Sequence, residues 1–232
     1  MLWRWVAPAV VAVVGLAVVG AGLLLSASGY DGDRYAEYRG SAAMGASAAP
    51  ADRLTVRTDT ADDVRRGDLV LVRAWAAKKP TVLRVIGVGG DTVRSAGDKI
   101  EVNGKVVDED YVSTADQAPP GAVEFAADVP DGSVYLAGDV RNNAVDSRMY
   151  GDTGAIATTE VVGTVVAVNG ETITPTTAFT DAGLHGAPYT DPGASRNLLP
   201  LIAGVLVAVA GLIWLGTNLL RRRTSPEPRL SR

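Results

Sequence analysis

The stretch Ile100-Glu101-Val102-Asn103-Gly104-Lys105-Val106-Val107 reads as a β-hairpin. Two short apolar-alternating runs flank an Asn-Gly pair. A two-residue type I′ turn needs positive φ at both central positions, which Asn and Gly tolerate best. The same texture recurs outward from this point. Leu54-Thr55-Val56, Leu69–Val72 and Val82–Val88 precede it, and Val134-Tyr135-Leu136 and Val161–Val168 follow. Turn residues separate these runs, and helical periodicity is hard to find among them. Regularly spaced short strands predict a mostly β, antiparallel domain over residues 27–174, with a smaller hairpin subdomain at about 92–130. Ser41 to Asp52, rich in Ala, Ser and Gly, reads as a loop. So does Pro175 to Arg196, and residues 175–197 are expected to be a tether.

Both ends of the chain differ from the middle. Val6 to Leu25 is a run of 20 uncharged residues. At a helical rise of about 1.5 Å per residue, such a run matches the roughly 30 Å hydrocarbon layer. Residues 5–26 are therefore expected to be a transmembrane signal anchor after a short cytoplasmic segment, 1–4. Ser26-Ala27-Ser28 offers a small-residue cleavage site, but the apolar core exceeds the 7–15 residues typical of signal peptides. Leu198 to Thr217 is a second uncharged run, closed by Arg221-Arg222-Arg223. It predicts another span at 198–220 and a basic cytoplasmic tail at 221–232.

Charge follows this division. Ala27 to Asn197 holds 16 Lys/Arg against 25 Asp/Glu, while the tail from Arg221 holds five Arg and one Glu. An acidic middle and a basic tail are the split expected across a bilayer with both termini inside. The net charge of −4 gives no footprint for nucleic acid. The chain has no cysteine, which excludes disulfides, thiolate metal sites and cysteine nucleophiles. It has one histidine, His185, so any Ser-His-Asp triad must use that residue. Neither a phosphate-binding loop nor a metal-ligand spacing is found, and no cofactor is expected.

The segment richest in chemistry is Gly138-Asp139-Val140-Arg141-Asn142-Asn143-Ala144-Val145-Asp146-Ser147-Arg148-Met149-Tyr150-Gly151. Its two Asp-x-Arg spacings, in a glycine-bounded loop after a strand, predict an ion-paired support, since Asp and Arg can pair in bidentate geometry. A merely solvated charged loop is the plain alternative.

This string resembles the last signature box of type I signal peptidases, Gly-Asp-x-Arg followed by Ser-x-Asp-Ser-Arg-x-x-Gly. Leu83-Arg84-Val85-Ile86-Gly87-Val88-Gly89-Gly90-Asp91 is similar to the lysine box, Lys-Arg-x-x-Gly-x-Pro-Gly-Asp. Arg66-Gly67-Asp68-Leu69-Val70 and Asp98 to Tyr111 are similar to neighbouring family segments. The likeness covers about residues 40–168. It implies a signal-peptidase-like β domain lying outside a bacterial-type plasma membrane; the two transmembrane helices expected to flank it are read from the apolar runs, and the C-terminal one lies beyond the likeness. It also implies removal of signal peptides from exported preproteins by a serine endopeptidase. Partners would be the lipid bilayer, preprotein signal peptides or an active signal peptidase.

The nucleophile box of the family is Ser-Met-x-Pro-Thr. Ser47-Ala48-Ala49-Pro50-Ala51 matches it at the serine and the proline, making Ser47 the candidate nucleophile, with Ser41 as competitor. The resemblance assigns fold support to Asp139, Arg141, Asp146, Ser147 and Arg148. Two departures stand out. Leu83 occupies the position of the general-base lysine, and Ala144 that of the serine that orients it. Leucine cannot accept a proton, and an unassisted serine hydroxyl is a poor nucleophile. Arg84 is permanently charged and alternates to the other strand face. Lys79, four residues before Leu83, would lie about 13 Å away along a strand. Two functions stay open: an active serine endopeptidase using Ser47 with a relocated base, and a catalytically impaired relative, a pseudoenzyme serving as accessory or binding module. On this alignment Leu83→Lys with Ala144→Ser is expected to restore turnover through Ser47.

Overall fold

The computed structural model describes residues 34–60, 63–75, 79–117 and 124–191, and five helical positions at 205, 206, 209, 210 and 213. Residues 34–191 belong to one unit, Tyr30–Ala194, and the helical positions to another. The predicted spans lie outside the described residues except for those five positions. Among the described residues no helix is long and apolar enough to cross a membrane.

The β-branched runs form strands because each buries alternate side chains on two opposed layers. In chain order the strands are β1 (Tyr35–Arg39), β2 (Arg53–Arg57), β3 (Leu69–Val72), β4 (Thr81–Val88), β5 (Thr92–Ala96), β6 (Lys99–Val102), β7 (Lys105–Val107), β8 (Ala126–Asp128), β9 (Ser133–Ala137), β10 (Ile156–Ala157), β11 (Val161–Val168) and β12 (Glu171–Thr172). Eight of them build one sheet in the order β1-β2-β11-β3-β4-β9-β10, with β12 on β11. The other four form a sheet ordered β7-β6-β5-β8. All pairings are antiparallel. The hairpin turn at Asn103-Gly104 has φ of 52° and 76°, the left-handed pair that a type I′ turn demands.

β4 is central, and its two faces decide the layout of the site. Leu83 and Val85 join Val70, Val72, Val134 and Leu136 in one apolar cluster. Val82 joins Met44, Leu69, Leu71 and Val165 in a second. Ile86 joins Tyr135 and the inner side chains of the small sheet, including Val93, Ile100 and Val107, in a third. Arg84 alternates with Leu83 and so lies on the Val82–Ile86 side.

Residues 175–197 do not form a free tether over their described part. Through Asp191 the segment is packed on the domain. Its short helix α1 (Ala178–Asp181) sets Phe179, fully buried, into the cluster shared by both sheets, with Leu184 beside it. Side-chain anchors hold the strap along its length, including Arg57 donating to the Tyr189 hydroxyl. Lys105 donates to the Gly183 carbonyl, Arg66 Nη1 donates to the His185 carbonyl at 2.7 Å, and Asp68 Oδ1 accepts from Tyr189 N–H at 2.6 Å. Asp191 accepts from Tyr35 Oη at 2.6 Å and lies 3.4 Å from Arg57 Nη1. The Gly/Pro/Thr composition disguised this role, because two buried apolar side chains suffice to dock a short segment.

Phe179→Ala is expected to lower unfolding stability by about 3–5 kcal/mol, since it empties a core site between two sheets. Denaturant melts of the two proteins measure it.

Asp68 gives a second expectation. Burial pushes its carboxyl up from 3.8 to about 6, against the opposing hydrogen bonds from Arg65 and Tyr189 N–H. A raised folded value means that the folded state holds the proton more tightly. The associated stability is complete below about pH 4 and is lost as pH rises through 6, by roughly 2–3 kcal/mol. Unfolding curves across this window should show the decline in the wild type and a flatter profile in Asp68→Asn.

Candidate functional site

Ser41 to Asp52 is not a plain loop. Ala42–Ser47 forms a 3-10 helix whose N-cap, Ser41, accepts from Ala43 N–H at 3.2 Å. Gly45 breaks it with φ 50° and ψ −125°. That positive-φ residue redirects the chain, and the segment's side chains divide between the two faces of β4, with Ala43 on the Leu83 side and Met44 on the Val82 side. Before the break, Ser41 Oγ lies 3.1 Å from Thr81 Oγ1, and Ala43 packs on the cluster that contains Leu83. After it, Ser47 and Ala48 lie with the Arg84 side, Ala48 fully buried in the Met44–Val82 cluster.

Ser47 Oγ donates to Asp139 Oδ2 at 2.5 Å. Asp139 also accepts from Arg84, Nε at 2.9 Å and Nη2 at 2.7 Å, a bidentate pair in which both residues are buried. Arg84 Nη1 donates to the Gly67 carbonyl at 2.9 Å, and its guanidinium lies 4.0 Å over the Tyr111 ring. Burial opposes the charge on Arg84, but the Asp139 hydrogen bonds and charge outweigh it and hold the guanidinium protonated above its usual range. Tyr111 Oη donates to Glu109 Oε1 at 2.5 Å, and Glu109 takes a second, bidentate ion pair from Arg141. Burial first, and the Glu109 charge next, push the Tyr111 hydroxyl well above its ordinary value.

The expected support residues are thus partnered differently from their sequence spacing. Asp146 and Arg148 do pair with each other, Nη2 to Oδ2 at 2.7 Å, and Asp146 Oδ2 also accepts from Gly138 N–H at 2.9 Å. Asp139 and Arg141 do not pair. Asp139 binds Arg84 and Arg141 binds Glu109, because the chain bends and turns over residues 139–143 and directs the two side chains to different neighbours. Ser147 Oγ accepts from Leu136 N–H at 2.9 Å and is fully buried. Glu109 and Tyr111, absent from the sequence assignment, complete the network. The only signal was their place at the end of a family-like segment.

Ser47 is not brought to Leu83. The serine lies on one face of β4 and the leucine on the other, where Leu83 is fully buried among aliphatic side chains. Ala144, also buried, lies on the Gly138 backbone. Lys79 and His185 are exposed, and His185 is bound through its carbonyl. Among the described residues no Lys or His side chain bonds to Ser47. Ser47 and Arg84 instead line a cleft of about 620 Å³ with Asp68, Tyr111, Glu171 and Tyr189. Among the described residues no group of carboxylates or His could hold a metal.

The chain matches the family model for signal peptidase, peptidase S26, over residues 3–169. It therefore belongs to the signal peptidase family S26. Similar relatives include a signal peptidase I of Bacillus amyloliquefaciens, 35% identical over 108 residues, covering 44% of this chain and 55% of that one. Signal peptidase I T of Bacillus subtilis is 36% identical over the same length and coverage. A probable signal peptidase I-2 of Synechocystis is 36% identical over 95 residues, or 38% of this chain and 42% of that one. The chain thus spans about half the length of the curated relatives it matches. A solved signal peptidase I of Enterococcus faecalis aligns with a TM-score of 0.36 and 24% identity, over 43% of this chain and 94% of that one, too slight a likeness to extend the assignment.

Asp139→Asn is expected to cost about 3–5 kcal/mol of stability, because it leaves the Arg84 cation buried without its counter-charge. Ser47→Ala should cost only about 1–2 kcal/mol, since Arg84 still satisfies Asp139. Chemical denaturation of the two variants compares them, and equal losses would contradict the assigned hierarchy.

Proposed function

We propose that the chain is a signal peptidase I-like membrane protein that has lost peptide-bond turnover and acts as a membrane-tethered binding or accessory module. In this reading the two apolar runs anchor it in a bacterial-type plasma membrane with both termini cytoplasmic. The β domain lies outside, where exported chains emerge. It engages preprotein signal peptides, or an active signal peptidase, without cutting.

The observation that carries the reading is the surroundings of Ser47. Its hydroxyl is hydrogen-bonded to a carboxylate already in a bidentate ion pair with Arg84, and the lysine-box position on the other face is Leu83. A general base must accept the serine proton as the nucleophile attacks. Carboxylates are weak bases beside amines, with reference values of about 3.9 against about 10.4 for lysine.

A second reading has one observation in its favour, the 2.5 Å bond from Ser47 to Asp139, which would make that carboxylate a relocated base. Drawing the proton onto Asp139 would strip Arg84 of its counter-charge in a buried setting, which argues against it.

Membranes carrying the full chain, incubated with a preprotein, are expected to release no mature product above a vector-only control. Ser47→Ala should change nothing. Cleavage that disappears in Ser47→Ala overturns the proposal.

A further inference from the structure

We infer that Ala43, not Ser47, stands where the nucleophile of this family would stand, so that positions 43, 83 and 144 have together exchanged reactive groups for apolar ones. The inference rests on the signal-peptidase reading of the β domain given above.

Three observations converge on one spot. First, the β4–β9 register pairs Arg84 with Ala137, so the next step sets Gly138 opposite Leu83. Second, Gly138 is the floor on which both alanines sit. A methyl group there would collide with Ala144 Cβ and would lie 2.6 Å from the Ala43 carbonyl oxygen and 3.2 Å from Ala43 Cβ. Third, the contact is fixed by hydrogen bonds. Val140 N–H donates to the Ala43 carbonyl at 2.9 Å, and Ala144 N–H donates to the Val140 carbonyl at 2.9 Å. The side chain of Ala43 packs on the cluster that holds Leu83. Ser47 has none of these neighbours: its hydroxyl is bonded to Asp139 on the Arg84 face.

The sequence around the alanine agrees. Ala43-Met44-Gly45-Ala46-Ser47 sets against Ser-Met-x-Pro-Thr with Met44 retained and Ser47 at the threonine position. The serine to which sequence alone points is then a neighbouring hydroxyl that caps the Asp139–Arg84 pair. Restoring chemistry would need a hydroxyl at 43, an amine at 83 and a hydroxyl at 144. Burial at 83 would lower the amine toward a useful base. The two hydroxyls would satisfy it where aliphatic neighbours alone would not.

The test compares variants of the full chain in membranes with a preprotein as substrate. A43S/L83K/A144S should raise cleavage on the order of 10²-fold over the wild type. Adding S47A to that triple variant should leave the gain intact. The double variant L83K/A144S should remain at background. A gain in the double variant that S47A abolishes would assign the nucleophile to Ser47 and overturn the inference, as would a triple variant with wild-type circular dichroism and no cleavage. If the triple variant does not fold, thiol alkylation by iodoacetamide decides instead. In A43C/L83K the introduced thiol should react with its pH profile moved lower than in A43C alone, because an adjacent amine stabilises thiolate. In S47C/L83K the profile should match S47C alone. The reverse pattern overturns the inference. Cleavage by the wild-type chain overturns the loss of turnover proposed above, while position 43 is still judged by these variants, unless that cleavage is abolished by S47A, which removes both.

Discussion

The buried ion pair between Arg84 and Asp139 is the constraint on which the rest of the domain depends. A guanidinium in a β-strand interior is tolerable only when its charge and donors are met. Asp139 meets two donors from the end of β9, and Gly67 meets a third from the turn before β3. Tyr111 covers the flat face from the segment that leaves the small sheet. Ser47 then gives Asp139 another hydrogen bond from the 3-10 helix. Four segments distant in sequence are thereby fixed to one strand.

This arrangement is compatible with the proposed loss of turnover. The charged network and the lysine-box position share β4 but occupy opposite faces, since adjacent strand residues alternate. On the Arg84 face, loss of a partner strands a buried charge. The Leu83 face is now a dry cluster of aliphatic side chains joined by Ala43. Replacing an amine there by leucine removes a buried group that needs partners and puts a well-packed side chain in its place, so such a change is compatible with the fold.

The strand layer was legible in the sequence because β-branched runs bounded by turn residues mark buried strands directly. Val82–Val88, Val161–Val168 and the Asn103-Gly104 hairpin lie close to their observed bounds. Tyr35–Arg39 and Thr92–Ala96 were missed. They carry polar and charged side chains on an exposed face, so pairing rather than composition makes them strands. The strap through Asp191 was hidden for a related reason: its docking rests on Phe179, Leu184 and backbone contacts, and no periodic pattern announces them. In the site, residue types were readable but partners were not. Asp139 two residues before Arg141 suggests a local pair, yet the third dimension gives each a different partner. Ser47 is the sharpest case, since consecutive residues of the 3-10 segment, Ala43 and Met44, already go to opposite faces of β4 and no linear spacing tells on which face Ser47 lies.

The central claim is that the Ser47 hydroxyl is a structural donor to an ion pair and not a nucleophile. Intact-mass spectrometry of the purified full chain, incubated with an activated peptide ester bearing small side chains, tests it most directly. The mass should remain unmodified after prolonged incubation. An acyl adduct that maps to Ser47 would contradict it.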